Sequence, residues 1–191
     1  MIDSLKKHIA KYITLKEEEL VAIGSFFGTL ECKKKENLLT EGKISKSNYF
    51  VAAGCLRLFF INDKGVEQTI QFAIENWWLA DYASFESQKP SEFYIQAVEK
   101  STILSLDFEA QEAMLRRFPQ MERYFRLMHQ RAHAASQFRI KGLYDLSREE
   151  LYYQFSRQHP DFVQRIPQYL LASFLGFTPE YLSEIRSKRI S

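Results

Sequence analysis

The chain has 191 residues, 46% hydrophobic, 15% aromatic and 26% charged, which is enough apolar material for one large core or two small ones and excludes a disordered chain. With 26 Lys+Arg against 24 Asp+Glu the net charge is only +2, so any attraction to nucleic acid must be local rather than global. No apolar run approaches the roughly 18 residues of a bilayer-crossing helix, and the opening MIDSLKKHIAKYITLKEEE has no signal-peptide block, so a cytoplasmic protein without membrane partners is expected.

Residues 3–30 read as helical. Leu5, Ile9, Tyr12 and Ile13 recur at helical spacing, and Thr14-Leu15-Lys16-Glu17 reads as a capping box opening a second helix with Leu20, Ile23 and Phe27. From about residue 36 to 107 the period falls to two. Leu56, Leu58 and Phe60 alternate with Arg57 and Phe59, Asn62-Asp63-Lys64-Gly65 supplies turn chemistry, and Val66, Ile70 and Phe72 resume the alternation, which predicts a hairpin. Further short runs at Asn48–Ala52, Phe93–Val98 and Thr102–Leu106 predict a β-roll.

After the predicted N-cap Asp107, one helix runs to about Phe118 and Pro119 opens a longer one. Along it Met121, Phe125, Met128, Ala132 and Ala135 recur at alternating steps of four and three, the spacing of a coiled-coil seam, which predicts a homodimer; the same stripe packing on the β-roll is the alternative. Arg139 and Gly142 interrupt the pattern and suggest a hinge. The expected division is a β-roll sensor domain over 1–118, a dimerisation helix and hinge over 119–142, and a separate unit over 143–191.

That last unit is the most informative. Ser147-Arg148-Glu149-Glu150 is a capping box, and the helix it opens ends at His159-Pro160-Asp161. The stretch from Ile166 to Ile185 then has the pattern of a helix-turn-helix. Pro167 suits a helix start, Ala172 allows a close crossing, Gly176 permits the positive φ of a tight turn, and Thr178 caps a second helix with Pro179 at its first position. Leu171, Leu175, Phe177, Leu182 and Ile185 form the inward surface. A recognition helix enters the major groove by its N-terminal part, which makes Pro179, Glu180, Ser183 and Glu184 the candidate base readers; glutamate can accept from the cytosine amino group. Gln168, Tyr169, Thr178, Arg186, Lys188 and Arg189 are the candidate phosphate contacts, which set register without reading sequence.

The order of helix, β-roll, long helix and C-terminal helix-turn-helix resembles the Crp–Fnr family of bacterial transcription regulators over nearly the whole chain. The segments Tyr49–Arg57, Trp77–Tyr82 and Arg165–Gly176 look like its Bacteroidetes-type branch. The resemblance implies an α+β fold: an N-terminal double-stranded β-helix (a cyclic-nucleotide-binding-like β-roll) with flanking helices, a long dimerisation helix and a C-terminal helix-turn-helix. It also implies DNA with a near-palindromic site and RNA polymerase as partners, and Glu180 as the family's base-reading glutamate. Where the family commonly has an arginine four residues further on, this chain has Glu184, so the usual operator is not expected. The β-wing that follows the recognition helix in the family has no counterpart before Ser191.

Cyclic-AMP-binding members carry a Gly-Glu pair for the ribose and an Arg-Ser pair for the phosphate; the matching residues here are Ala80-Asp81 and Ser91-Glu92. Without the arginine, and with Glu92 adding repulsion, cyclic AMP is not the expected effector. Trp77, Trp78, Asp81, Tyr82, Ser91 and Tyr94 are the candidate lining of a pocket for another small molecule, unless the aromatic ones are plain core.

Cys32 and Cys55 cannot supply the four thiolates of an iron–sulfur sensor and are expected to be small core residues. His8, His129, His133 and His159 all fall in predicted helices or at their ends, so the strands lack the histidines of a metal-dependent cupin, and His129 and His133 have no third ligand in view. No nucleophile elbow, phosphate loop or carboxylate pair is present, so neither catalysis nor a resident cofactor or metal is expected. Four basic and two acidic residues between Arg165 and Ser191 make the expected DNA face only weakly positive. A non-DNA-binding interaction protein, or a cyclic-nucleotide-binding protein that kept the fold, is therefore the alternative to a homodimeric DNA-binding regulator.

Overall fold

A computed structural model describes residues 1–188. The chain opens with α1 (Ile2–Ala10) and α2 (Glu17–Gly24), whose Leu5, Ile9, Leu20 and Ile23 are buried together as their spacing requires. The cap of α2 falls two residues later than the Thr14 box. The Lys16 N–H donates to Glu19 Oε2 at 2.7 Å, so it is the glutamate at the third helical position that closes the first turn.

Helical structure does not extend to residue 30. The strands β1 (Gly28–Cys32), β2 (Asn37–Leu39), β3 (Ser47–Ala53), β4 (Leu56–Ile61), β5 (Glu67–Ala73), β6 (Trp78–Leu79), β7 (Tyr94–Ala97) and β8 (Ser101–Asp107) form two four-stranded sheets, ordered β1-β8-β3-β6 and β2-β7-β4-β5. Gly28 to Cys32 carries almost no alternation, because only Cys32 is buried; the strand is held by its antiparallel ladder to β8, Leu30 opposite Ile103, rather than by a buried face. The predicted hairpin is present, with Gly65 at φ +74° between β4 and β5.

Alternation gives the roll two apolar layers. Val51, Leu79 and Ile103 meet Leu56, Leu58, Ile95 and Ala97 in its interior, together with Cys32. Phe50, Trp78, Leu104 and Leu106 point the other way, onto α1, α2, α4 (Phe108–Arg117) and the start of α5 (Gln120–Asp145). Each such burial contributes about 1.5–3 kcal/mol. In this outer layer the Tyr124 hydroxyl accepts from Trp78 Nε1 at 2.9 Å and lies 2.7 Å from His8 Nδ1, tying α5, β6 and α1 through one buried oxygen. Cys55 is also buried, and both cysteines are free thiols.

The chain separates into two compact units. One comprises residues 1–60 and 70–130, the other 61–69 and 131 onward, so the division falls within α5. Gly142 lies inside α5, which continues to Asp145, and so marks no break in the helix; a mid-helix glycine costs only about 1 kcal/mol relative to alanine. The second unit continues through α6 (Arg148–Gln158), α7 (Pro160–Arg165), α8 (Gln168–Leu175) and α9 (Pro179–Ser187). Ser147 and Glu150 cap α6 reciprocally, with Ser147 N donating to Glu150 Oε2 at 2.9 Å and Glu150 N to Ser147 Oγ at 3.3 Å. The Ser147 hydroxyl, donating to the same carboxylate oxygen at 2.7 Å, and then the Ser147 N–H hold the Glu150 carboxyl below its ordinary range. The hairpin tip belongs to this unit: Ser173 Oγ of α8 donates to the Glu67 carbonyl at 2.9 Å and accepts from Thr69 N at 2.8 Å. Among the described residues no helix is long and apolar enough to cross a membrane, and no cluster of metal-ligating side chains occurs.

Candidate functional site

The turn between α8 and α9 has the geometry its residues require. Gly176 sits at φ +77°, its N–H bonds the Ser173 carbonyl at 3.2 Å, and the Phe177 N–H reaches back to Ala172 O at 2.8 Å. Thr178 then caps α9 by accepting from Tyr181 N at 3.3 Å. Leu171, Ala172, Leu175, Phe177, Leu182 and Ile185 are buried between the helices, leaving Thr178, Pro179, Glu180, Ser183 and Glu184 exposed along one side of α9.

This exposed face is braced from α6. Tyr153 donates its hydroxyl to the Ile185 carbonyl at 3.3 Å and the Arg148 guanidinium lies 5.6 Å over the Tyr181 ring. Lys188 Nζ stands 3.1 Å from both Glu184 Oε1 and Glu149 Oε1. Hydrogen bonding to Glu184 first, then to Glu149, raises its pKa above the ordinary lysine value. Lys188 is thus engaged by two carboxylates, and the Glu184 carboxylate is partly neutralised by a neighbour. The bracing residues Glu149 and Tyr153 lie more than thirty positions from the residues they hold, and no local pattern announces them.

Gln168 and Tyr169 are exposed at the first turn of α8, and Arg186 is half-buried in the last turn of α9. Gln168 and Arg186 line one surface cleft of about 400 Å³ with Val163, Gln164, Arg165, Ile166 and Pro167. Arg165 was not among the sequence candidates; its only signal is its position just before Ile166-Pro167 at the helix start. Arg189 lies outside the described residues.

In the β-roll, Asp81 is the N-cap of the short helix α3 (Tyr82–Ser87), an element too short to leave a periodic signature. Its buried Oδ1 accepts from Ala83 N at 3.2 Å and Ser84 N at 3.3 Å, and its Oδ2 from Ser91 Oγ at 2.7 Å. Ser91 Oγ in turn accepts from Phe93 N at 3.0 Å, and Ser84 Oγ accepts from Ser45 N at 2.9 Å. Asp81 and Ser91, the two residues that the family resemblance sets against ribose and phosphate, are thus bonded directly to each other.

The other candidate pocket residues make contacts of their own. Trp77 is 50% exposed, whereas Trp78 is core. Tyr82 donates toward Asn48 Oδ1 at 3.4 Å and meets His129 edge-on at 4.7 Å. Tyr94 stacks on Phe59 with centroids 5.0 Å apart and bonds Glu41. Burial raises the Tyr82 phenol and lowers the His129 imidazole relative to their ordinary values.

The stripe on α5 is split in use. Met121 and Phe125 are buried in the first unit's own core and Met128 packs partly against it, while Ala132 and Ala135 are exposed. Further along, Phe138 is 76% exposed and Leu143 46%, with Ile140 and Tyr144 also exposed.

Residues 29–118 match the cyclic nucleotide-binding domain family. No curated protein matches the sequence. Among solved structures, the c-di-GMP-responsive global regulator CLP of Xanthomonas campestris superposes with a TM-score of 0.71 at 11% identity, over 91% of this chain and 91% of that one. A transcriptional regulator of the Crp/Fnr family from Eubacterium rectale gives 0.71 at 16% identity, over 92% and 84%. The catabolite activator protein of Thermus thermophilus gives 0.56 at 22% identity, over 91% and 83%. These likenesses establish the fold: a cyclic nucleotide-binding-type β-roll followed by a long helix, as in regulators of the Crp/Fnr kind.

Proposed function

We propose that this protein is a homodimeric, sequence-specific DNA-binding transcription regulator of the Bacteroidetes-type Crp–Fnr branch, in which α8 and α9 form the helix-turn-helix. The observation that carries the reading is the capped, glycine-turned pair α8–α9, which buries one face and leaves Thr178, Pro179, Glu180, Ser183 and Glu184 exposed along α9. Glu180 reads a base and Arg186 meets backbone phosphate. Glu184 is restrained by Lys188, so Glu180 is the principal carboxylate available to accept from a cytosine amino group. The exposed Phe138, Ile140, Leu143 and Tyr144 on the second half of α5 support a partner helix there. Two copies would then present their recognition helices about one DNA turn apart, roughly 34 Å, to a near-palindromic site, with RNA polymerase as the downstream partner.

The β-roll acts in this reading as a scaffold or as the sensor of a small molecule other than cyclic AMP; the bond between Asp81 and Ser91, the residues that the resemblance matches to the usual ligand contacts, supports this. The test is selection of bound sequences from a random duplex pool at fixed salt, without added ligand. Enrichment of a two-fold symmetric site, with Glu180→Ala changing preference at one position per half-site, is the expected result. An absence of enrichment with and without cyclic nucleotides favours an interaction protein that kept the fold, and enrichment only with a cyclic nucleotide overturns the ligand reading.

A further inference from the structure

Strand β5 stands at the end of its sheet, so the backbone groups on its outer side have no neighbouring strand to bond. Two of them are taken instead by a helix side chain. The Ser173 hydroxyl of α8 donates to the Glu67 carbonyl at 2.9 Å and accepts from the Thr69 N–H at 2.8 Å, so one oxygen does for both what a further strand would do. Hairpin tip and α8 lie in the same compact unit. This contact is polar where the α8–α9 core is apolar, and it carries a defect: Thr69 is 3% exposed, yet its Oγ1 has no hydrogen-bond partner among the described residues. A buried hydroxyl left unbonded in the closed contact regains water when the contact opens, so the closed form is held only weakly. Arg139 of α5 donates to the Phe174 carbonyl at 3.0 Å, which anchors α8 independently of the tip.

Ser173 follows Tyr169 by four residues, so the two share one face of α8, and Tyr169 is a candidate phosphate contact that is 47% exposed. The hairpin tip therefore stands one helical turn along from where a duplex has to approach. We propose that the tip of the β4–β5 hairpin is an autoinhibitory clasp on α8, closed through Ser173 in the free protein and displaced when DNA seats against that face. The inference rests on the DNA-binding reading above and adds a restraint to it. Ser173 is here a positioning residue and touches neither base nor phosphate.

The test combines fluorescence-anisotropy titration of a mixed-sequence duplex with amide hydrogen exchange followed by NMR, on the full chain at one salt concentration. Ser173→Ala removes both bonds of the clasp, so the open fraction, and with it the affinity for DNA, should rise about tenfold. Ser173→Thr keeps the hydroxyl and should bind as wild type does. Thr69→Val removes the unbonded hydroxyl, favours the closed form, and should weaken binding by about fivefold or more. In wild type, addition of the duplex should speed exchange of the Thr69 amide, whereas DNA that merely covered this surface would slow it. Equal or weaker binding by Ser173→Ala, or a Thr69 amide protected as well or better with DNA bound, overturns the clasp and leaves the regulator reading standing. Failure of wild type and all three variants to bind any duplex refutes the regulator reading, and the clasp with it. Circular dichroism establishes that each variant is folded; should Ser173→Ala fail to fold, Thr69→Val must still weaken binding and the wild-type exchange must still speed up.

Discussion

Replacing Asp81 with alanine removes a buried carboxylate that caps α3 and bonds Ser91, and its cost can be worked from the bonds it makes. The residue caps α3 through Ala83 N and Ser84 N at 3.2 and 3.3 Å, and loss of an N-cap costs about 1 kcal/mol. Ser91 Oγ, buried, loses its 2.7 Å acceptor and keeps only the long 3.4 Å bond to the Phe93 carbonyl, a loss of about 1–3 kcal/mol. Removing a buried charge recovers part of this, so a net destabilisation of about 2–3 kcal/mol is expected, or a fall of roughly 4–12 °C in midpoint for a chain of this size. Asp81→Asn keeps an acceptor and a good N-cap and should lose less than half as much. Thermal unfolding followed by tryptophan emission measures both variants. An Asp81→Ala midpoint equal to wild type, or a wild-type midpoint raised by millimolar cyclic AMP, would refute the idea that Asp81 and Ser91 close the site on themselves.

The two glycine turns should respond very differently to alanine. At Gly176 a Cβ meets nothing within 4 Å, so Gly176→Ala should cost only the left-handed strain of about 1–2 kcal/mol, whereas at Gly54 a Cβ would fall 2.7 Å from the Ser101 backbone and Gly54→Ala should unfold far more readily in thermal melts. His129, its imidazole desolvated against Tyr82 and Phe125, has a pKa lowered from 6.5; the folded state therefore binds its proton less readily than the unfolded state does. The stability it contributes is present above pH 6.5 and is lost as pH falls through the lower folded value, so melts at pH 7.5 and 5.5 should differ less in His129→Gln than in wild type. Leu143→Glu, at an exposed apolar position of α5, should shift sedimentation from dimer toward monomer while leaving the circular dichroism spectrum intact; an unchanged dimer would remove α5 beyond residue 131 from the interface.

Local chemistry made several parts of this protein readable in advance. The hairpin around Gly65, the reciprocal Ser147–Glu150 cap and the Gly176 turn with its Thr178 cap all depend on residues within a few positions of one another, so spacing alone specifies them. The inward and outward faces of α8 and α9 followed from the same arithmetic. The structure decided what sequence spacing cannot carry. An identical stripe of Met121, Phe125, Met128, Ala132 and Ala135 serves the β-roll core at its start and is exposed at its end, because a helix face acquires a partner only from the elements packed beside it. β1 exists through its ladder to β8, some seventy residues away, and not through any alternation of its own. The Asp81–Ser91 bond and the Lys188 bridge to Glu149 likewise join residues separated in the chain, and only the folded backbone brings those charges and dipoles within reach of one another.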